Sequence, residues 1–255
     1  MEIFIIIFMF IIGTIFGSFY NVVGYRVPKG ESIVSPPSHC PNCNHKLTTL
    51  ELIPIISYII TKGKCKNCQN KISPFYIIFE ALTGILFALS YIVFGFSVEL
   101  IIPLTFISML IIIMVSDYNY MIINDSILII FTIILTIEIL IIYGPLILIK
   151  HIICAILSFI TMFALKKLGD FLFKKESMGG GDIKLLGTFG LVIGYPMSLL
   201  AIFIGAIIAL PVSLITIKNN TNHIIPFGPF LALAAIILLL TNFDFDALQN
   251  LLLKI

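Results

Sequence analysis

The sequence predicts an all-α polytopic membrane protein of about eight transmembrane helices with one small, cysteine-bearing polar insertion. Three observations carry this. Hydrophobic residues fill 60% of 255 positions and charged residues only 11%, with a mean hydropathy of +1.15, which excludes a water-soluble globular domain. Apolar runs of about 20 residues, long enough to cross ~30 Å of hydrocarbon, recur from end to end. The one sizeable polar stretch, residues 26–73, holds four of the five cysteines.

The apolar runs place helices near residues 3–25, 74–94, 100–116, 122–143, 145–165, 183–193, 197–217 and 226–240. No basic region precedes the first run, which ends in Tyr25-Arg26-Val27-Pro28, so it reads as a membrane helix rather than a cleaved signal. The run 183–193 gives only about 18 Å of helix at 1.5 Å per residue. It has to be extended by its neighbours, tilted or packed inside the protein.

Eight spans place residues 26–73, 117–121, 166–182 and 218–225 on one side of the membrane. Thirteen of the fifteen basic residues fall there or, for Lys184, at the edge, among them Arg26, Lys64, Lys166 and Lys218. The positive-inside rule makes that side cytoplasmic and puts both termini outside. The expected division is a first transmembrane helix, 1–25; a cytoplasmic zinc-knuckle loop, 26–73; a membrane core, 74–241; and a C-terminal tail, 242–255, with Asp244, Asp246 and Lys254.

Residues 26–73 are too few to bury a self-sufficient core, so the insertion needs a staple. Cys40-Pro41-Asn42-Cys43 and Cys65-Lys66-Asn67-Cys68 supply it. Two C-x-x-C turns offer two thiolates each to one tetrahedral ion, and the loop between them folds back to close the site. Cys40, Cys43, Cys65 and Cys68 are the expected ligands of one structural zinc. His39 and His45 flank the first turn and are possible replacements.

In a chain this poor in charge, acids at membrane boundaries need an explanation. Asp182 follows Gly179-Gly180-Gly181 at the threshold of an apolar run, and Asp117 ends the third span. The charge-based topology brings both to one face and one depth. Carboxylates that approach closely cannot both ionise cheaply, so such a pair shares a proton. The ionised member can deprotonate an attacking water while the protonated one polarises a carbonyl and later protonates the leaving amine. The three glycines add no bulk and permit positive φ, which suits a sharp turn and a substrate backbone lying beside Asp182. Asp182 could otherwise serve as a helix N-cap. Asp125 reads as the cap of the fourth helix. Glu138 is expected to be paired or near the outer interface, and Glu80, about two turns into the second helix, needs a partner.

Gly17-Ser18-Phe19-Tyr20-Asn21-Val22-Val23-Gly24-Tyr25-Arg26-Val27-Pro28 resembles the opening motif of bacterial type IV prepilin peptidases. The match continues through the cysteine block, Ile53-Pro54-Ile55-Ile56-Ser57-Tyr58 and Phe79-Glu80-Ala81-Leu82-Thr83-Gly84. Gly179-Gly180-Gly181-Asp182-Ile183-Lys184-Leu185 is similar to the family's G-x-G-D element. At Ile122-Ile123-Asn124-Asp125 the chain departs from the family's usual Pro-Asp or Pro-Asn pair, a change at a helix start.

The resemblance implies an intramembrane aspartyl endopeptidase with Asp117 and Asp182 in the catalytic positions and Gly179, Gly180 and Gly181 positioning substrate. Its substrate would be a prepilin or pseudopilin in the bilayer, cut after a short basic leader at the cytoplasmic face of the bacterial inner membrane. That activity serves type IV pilus assembly or protein secretion. The resemblance also implies N-methylation of the new terminus with S-adenosylmethionine, for which Asn21, Arg26 and Glu80 are candidates. No glycine-rich nucleotide loop is present in the sequence, and no nucleic-acid partner is expected. The alternative is a proton- or cation-coupled transporter with a broken sixth helix. Transport sites lie near the midplane, whereas these acids map to one interface.

Overall fold

A computed structural model describes residues 2–174, 176, 178–219 and 225–241. They form α1 (Glu2–Arg26), α2 (Ile56–Ile60), α3 (Phe75–Phe94), α4 (Ile101–Tyr120), α5 (Asp125–Tyr143), α6 (Pro145–Phe173), α7 (Gly180–Ile193), α8 (Tyr195–Asn219) and α9 (Gly228–Leu240). The tail 242–255 and the side chains of Lys175 and Lys218 lie outside the described residues.

Among the described residues six helices, α1, α3, α4, α5, α6 and α8, are long and apolar enough to cross a membrane. The chain is a multi-pass membrane protein. The expected count of eight is corrected at α7 and α9, whose 14 and 13 residues give about 21 and 20 Å against a core of ~30 Å. Both bury one side in protein: Leu185, Leu186 and Phe189 on α7, and Leu231, Ala232 and Ala235 on α9, have no exposed surface. Hydropathy registers burial in lipid and burial in protein alike, so an apolar run alone overcounts spans.

The chain forms two compact units, Met1–Phe96 and Ser97–Ile255. In the first, α1 packs along α3 through small residues. A Cβ on Gly13 would lie 2.8 Å from the Gly84 Cα, and one on Gly17 would lie 2.9 Å from the Thr83 Cβ. Only hydrogen fits at that seam, and close backbone approach is how membrane helices gain packing energy without a hydrophobic drive. α1 ends where Pro28 removes a donor. The chain then turns through a 3₁₀ segment, Val27–Lys29, closed by Gly30 at φ +71°.

In the second unit α4 is apolar on all sides, as a helix enclosed by others must be; Phe106, Ile107, Met109, Leu110, Ile111 and Val115 have no exposed surface. α6 runs past residue 165 to Phe173, because Lys166 and Lys167 end the apolar run but are good helix formers. α6, α7 and α8 meet through polar contacts. Ser158 and Ser198 hydroxyls are 2.7 Å apart, and a Cβ on Gly190 would collide with Ser158 Oγ.

One cap differs from expectation, and one alternative role falls away. The N-cap of α5 is Asn124, whose side chain accepts from the Ser126 N–H at 2.9 Å. Asp125 instead accepts from Lys184 Nζ at 2.7 Å through both carboxylate oxygens, because the lysine of α7 reaches it and leaves the neighbouring amide to cap the helix. The N-cap of α7 is Gly179, not Asp182.

Candidate active site and metal centre

Asp117 lies in the last turn of α4 and is 6% exposed. α4 stops three residues later at Tyr120, and the next residue, Met121, takes a left-handed conformation and donates its N–H to the Asp117 carbonyl at 2.8 Å. The Asp117 side chain points to the start of α9, where Gly228 N–H donates to Oδ2 at 3.0 Å. A Cβ on Gly228 would sit 2.6 Å from that oxygen, so the contact requires glycine. Sequence reasoning missed Gly228. Its local signal is a glycine within Pro226-Phe227-Gly228-Pro229 opening an apolar run.

Asp182 lies in the first turn of α7, 9% exposed, and its carboxylate accepts from the N–H of the N-cap, Gly179. Each acid thus rests against the N-terminus of a helix, where unpaired N–H groups and the helix dipole favour negative charge. The two carboxylates interact electrostatically, and the charge of Lys166 acts on Asp182 with opposite sign. The structure therefore places Asp117 and Asp182, 65 residues apart in the numbering (182 minus 117), near enough for their charges to act on each other.

The glycines have roles other than the expected left-handed turn. Gly179 has φ −65° and ψ 146°, and none of the three is among the positive-φ glycines, because the chain enters α7 directly from extended backbone. Gly181 is fixed by packing, since a Cβ there would lie 2.7 Å from that of Ile123. Gly180 has open space where a Cβ would be, and Gly179 faces only Asp182 Oδ2. Room beside the acid is present at 179 and 180.

Elsewhere in the second unit, Glu138 accepts from Thr105 Oγ1 at 2.7 Å. In the first unit, Glu80 finds its partners: Oε2 accepts from Ile55 N–H at 2.8 Å, and the carboxylate also accepts from the Ser18 hydroxyl. Asn21 is 2% exposed and donates Nδ2 to the Tyr76 carbonyl at 3.3 Å, its Oδ1 lacking a partner among the described residues. Asn21 and Glu80 share the α1/α3 seam, while Arg26 is turned away to the Ser32 carbonyl at 3.0 Å.

The cysteines form two matching knuckles. Cys40 N–H donates to His45 O and Asn44 N–H to Cys40 O, both at 2.9 Å. Cys65 N–H to Asn70 O (2.9 Å) and Gln69 N–H to Cys65 O (3.0 Å) repeat the pattern. Asn44 and Gln69 each close a turn with positive φ. All four Sγ atoms lie within 4.8 Å of one another, with Cys40–Cys68 at 3.8 Å and Cys43–Cys65 at 3.9 Å. A tetrahedral ion with metal–sulfur bonds of about 2.3 Å needs sulfur atoms about 3.8 Å apart, so the cluster fits a metal ion. The histidines are engaged elsewhere: His39 Nδ1 lies 2.9 Å from Pro37 O, and His45 Nε2 lies 3.3 Å from Glu51 Oε2. Glu51 also accepts from the Thr48 backbone N–H and hydroxyl, which pull its carboxyl down to about 2.

These features define a polytopic membrane protein with a buried carboxyl pair at helix ends and a four-thiolate cluster in a separate polar loop. The bacterial peptidase A24 N-terminal domain matches residues 11–94, and the type IV leader peptidase family matches residues 104–214. A prepilin leader peptidase/N-methyltransferase of Bacillus subtilis (strain 168) is 37% identical over 239 residues, covering 90% of this chain and 91% of that protein. The protein of the same name from Aeromonas salmonicida (strain A449) is 30% identical over 271 residues, covering 91% and 89%. A type 4 prepilin-like proteins leader peptide-processing enzyme of Escherichia coli O78:H11 is 30% identical over 247 residues, covering 88% and 89%. No solved structure matches the chain. The chain belongs to the type IV leader peptidase family.

Proposed function

We propose that this protein is an aspartyl endopeptidase that removes the short basic leader from prepilin-like proteins, with Asp117 and Asp182 as its catalytic pair. The observation that supports the reading is that two buried carboxyls, each accepting from a glycine N–H at a helix start, lie near enough for their charges to act on each other. One shared proton lets the pair act as base and acid in the same cleavage: the ionised carboxylate takes a proton from water as it attacks the scissile carbonyl, and the protonated one supplies the proton to the leaving amine. The open space at Gly179 and Gly180 accommodates the substrate backbone. Membership of a peptidase family and the position of both acids at helix ends favour this over ion transport, which the relatives' names do not support.

The lysine-rich connections support an orientation with the cysteine loop and active site at the cytoplasmic face of the inner membrane. We assign a structural zinc to Cys40, Cys43, Cys65 and Cys68; bound there, it would cross-link two knuckles that have no other core. Residues 26–73 would act as the zinc-knuckle loop and 74–241 as the peptidase core. N-methylation of the new terminus is supported by the relatives' names, and S-adenosylmethionine is the methyl donor we assign to it. One cavity pairs its Asp125 with Lys184, and a second, lined by Tyr58, Lys62, Lys64 and Lys71, has no carboxylate, so neither offers an unpaired carboxylate to a sulfonium cation.

The test incubates purified protein with a full-length prepilin and weighs the products. The expected result is a free leader and a mature chain beginning at a single site. An intact prepilin after prolonged incubation with correctly folded, metal-loaded protein would overturn the assignment. Adding S-adenosylmethionine should raise the mass of the mature chain by one methyl group.

A further inference from the structure

Between the two knuckles the chain displays apolar side chains outward. Leu50, Ile56, Ile59 and Ile60 are 53–70% exposed, although they belong to no membrane-spanning helix. Their placement follows from a turn of defined backbone geometry. Ile55 has φ 62° and ψ −54°, and Ile56 N–H donates to Pro54 O at 2.6 Å, the rare positive-φ γ-turn. A β-branched residue persists there only where its surroundings over-determine it. The buried Glu80 does this by taking the Ile55 N–H at 2.8 Å. Because Glu80 sits in the second turn of the membrane helix α3, the apolar display is tied to the place where α3 begins.

Beside it lies a cavity of about 380 Å³ lined by Tyr58, Lys62, Gly63, Lys64, Lys71 and Ser73, among others, with no carboxylate. None of the three lysines forms an ion pair among the described residues. Lys64 and Lys71 are paired across an antiparallel bridge, which gathers like charges on the wall of this cavity.

We propose that residues 48–73 carry an interfacial membrane anchor: the leucine and isoleucines around α2 seat in the headgroup–acyl boundary, and Lys62, Lys64 and Lys71 hold the phosphate of an anionic phospholipid. Apolar side chains beside clustered lysines are the composition that lies in a membrane interface. The alternative apolar occupant, a substrate helix, would leave three ammonium groups facing a basic leader. The charge therefore selects the anionic lipid.

The chain contains no tryptophan, so Ile59→Trp in the full-length, metal-loaded protein gives a single fluorescent reporter, with Ile60→Trp as a second. In lipid nanodiscs, shallowly brominated phosphatidylglycerol should quench it more strongly than brominated phosphatidylcholine at the same mole fraction. Each lysine at an anionic surface contributes about fivefold, so three predict a local preference of about a hundredfold. K62Q/K64Q/K71Q should equalise the two lipids while leaving the metal bound. Two results would overturn the proposal: no quenching by any brominated lipid at either position, or equal quenching by both headgroups with the lysines intact. Shielding that appears only when prepilin is added would also overturn it and assign the surface to the substrate. The readout is independent of peptide cleavage, so its failure would not touch the peptidase reading.

Discussion

The cysteine knuckles and the carboxyl pair are built on opposite principles. Each knuckle is made within six residues of chain, its turn closed by its own backbone bonds and by a left-handed Asn44 or Gln69; only the final meeting of the two needs the fold. The carboxyl site has almost no local structure. Asp117, Asp182 and Gly228 come from three helices, and the hydrogen bond from Gly228 N–H to Asp117 Oδ2 joins residues 111 apart in the sequence. A locally built site survives small displacements and fails when a ligand is removed. A site assembled across helices is sensitive to any atom that changes their spacing.

Substitutions can break that contrast, beginning with the largest effect. Cys65 is 4% exposed, and Cys65→Ser should empty the metal site. Structural zinc in small domains contributes roughly 10 kcal/mol or more to the folded state, so metal analysis should fall close to zero and residues 26–73 should become sensitive to protease. At the carboxyl site, a single methyl should suffice. Gly228→Ala places carbon 2.6 Å from Asp117 Oδ2 and should lower kcat/KM for prepilin by about 10²-fold, the scale of a 1 Å misplacement, with metal content unchanged. Gly180→Ala meets no atom within 4 Å, so it should leave thermal stability intact and mainly raise KM, by crowding the substrate. An unchanged KM would remove Gly180 from the substrate path.

The smallest effect is a titration. Glu51, held at about 2 against an ordinary 4.5, contributes stability that is fully present above 4.5 and is lost as pH falls from there towards 2. A ¹³C titration of its carboxyl should find the midpoint near the lower value in the native loop. Thr48→Ala, which removes one of its donors, should raise that midpoint.

The knuckles were legible from spacing alone because C-x-x-C is a local geometry. Asp182 was legible because an acid after three glycines at an apolar threshold is costly, and Asp117 because lysine placement put it on the same face. Gly228 was not legible as a site residue, since its role depends on a side chain far away in sequence. The length of α6 was hidden by Lys166 and Lys167, and the number of spans by α7 and α9, which are apolar and bury one side in protein. The triple glycine misled on conformation. It predicted left-handed backbone, whereas the structure uses Gly181 for contact with Ile123 and leaves Gly180 open.

The central claim is that Asp117 and Asp182 act as one unit, and cleavage kinetics of Asp117→Asn, Asp182→Asn and the double variant test it most directly. Groups that act together are strongly non-additive. Each single variant should lose leader cleavage by about 10²-fold to 10⁴-fold or more, and the double variant should be no worse than either. Cleavage that survives a single substitution, or losses that multiply in the double variant, would contradict it.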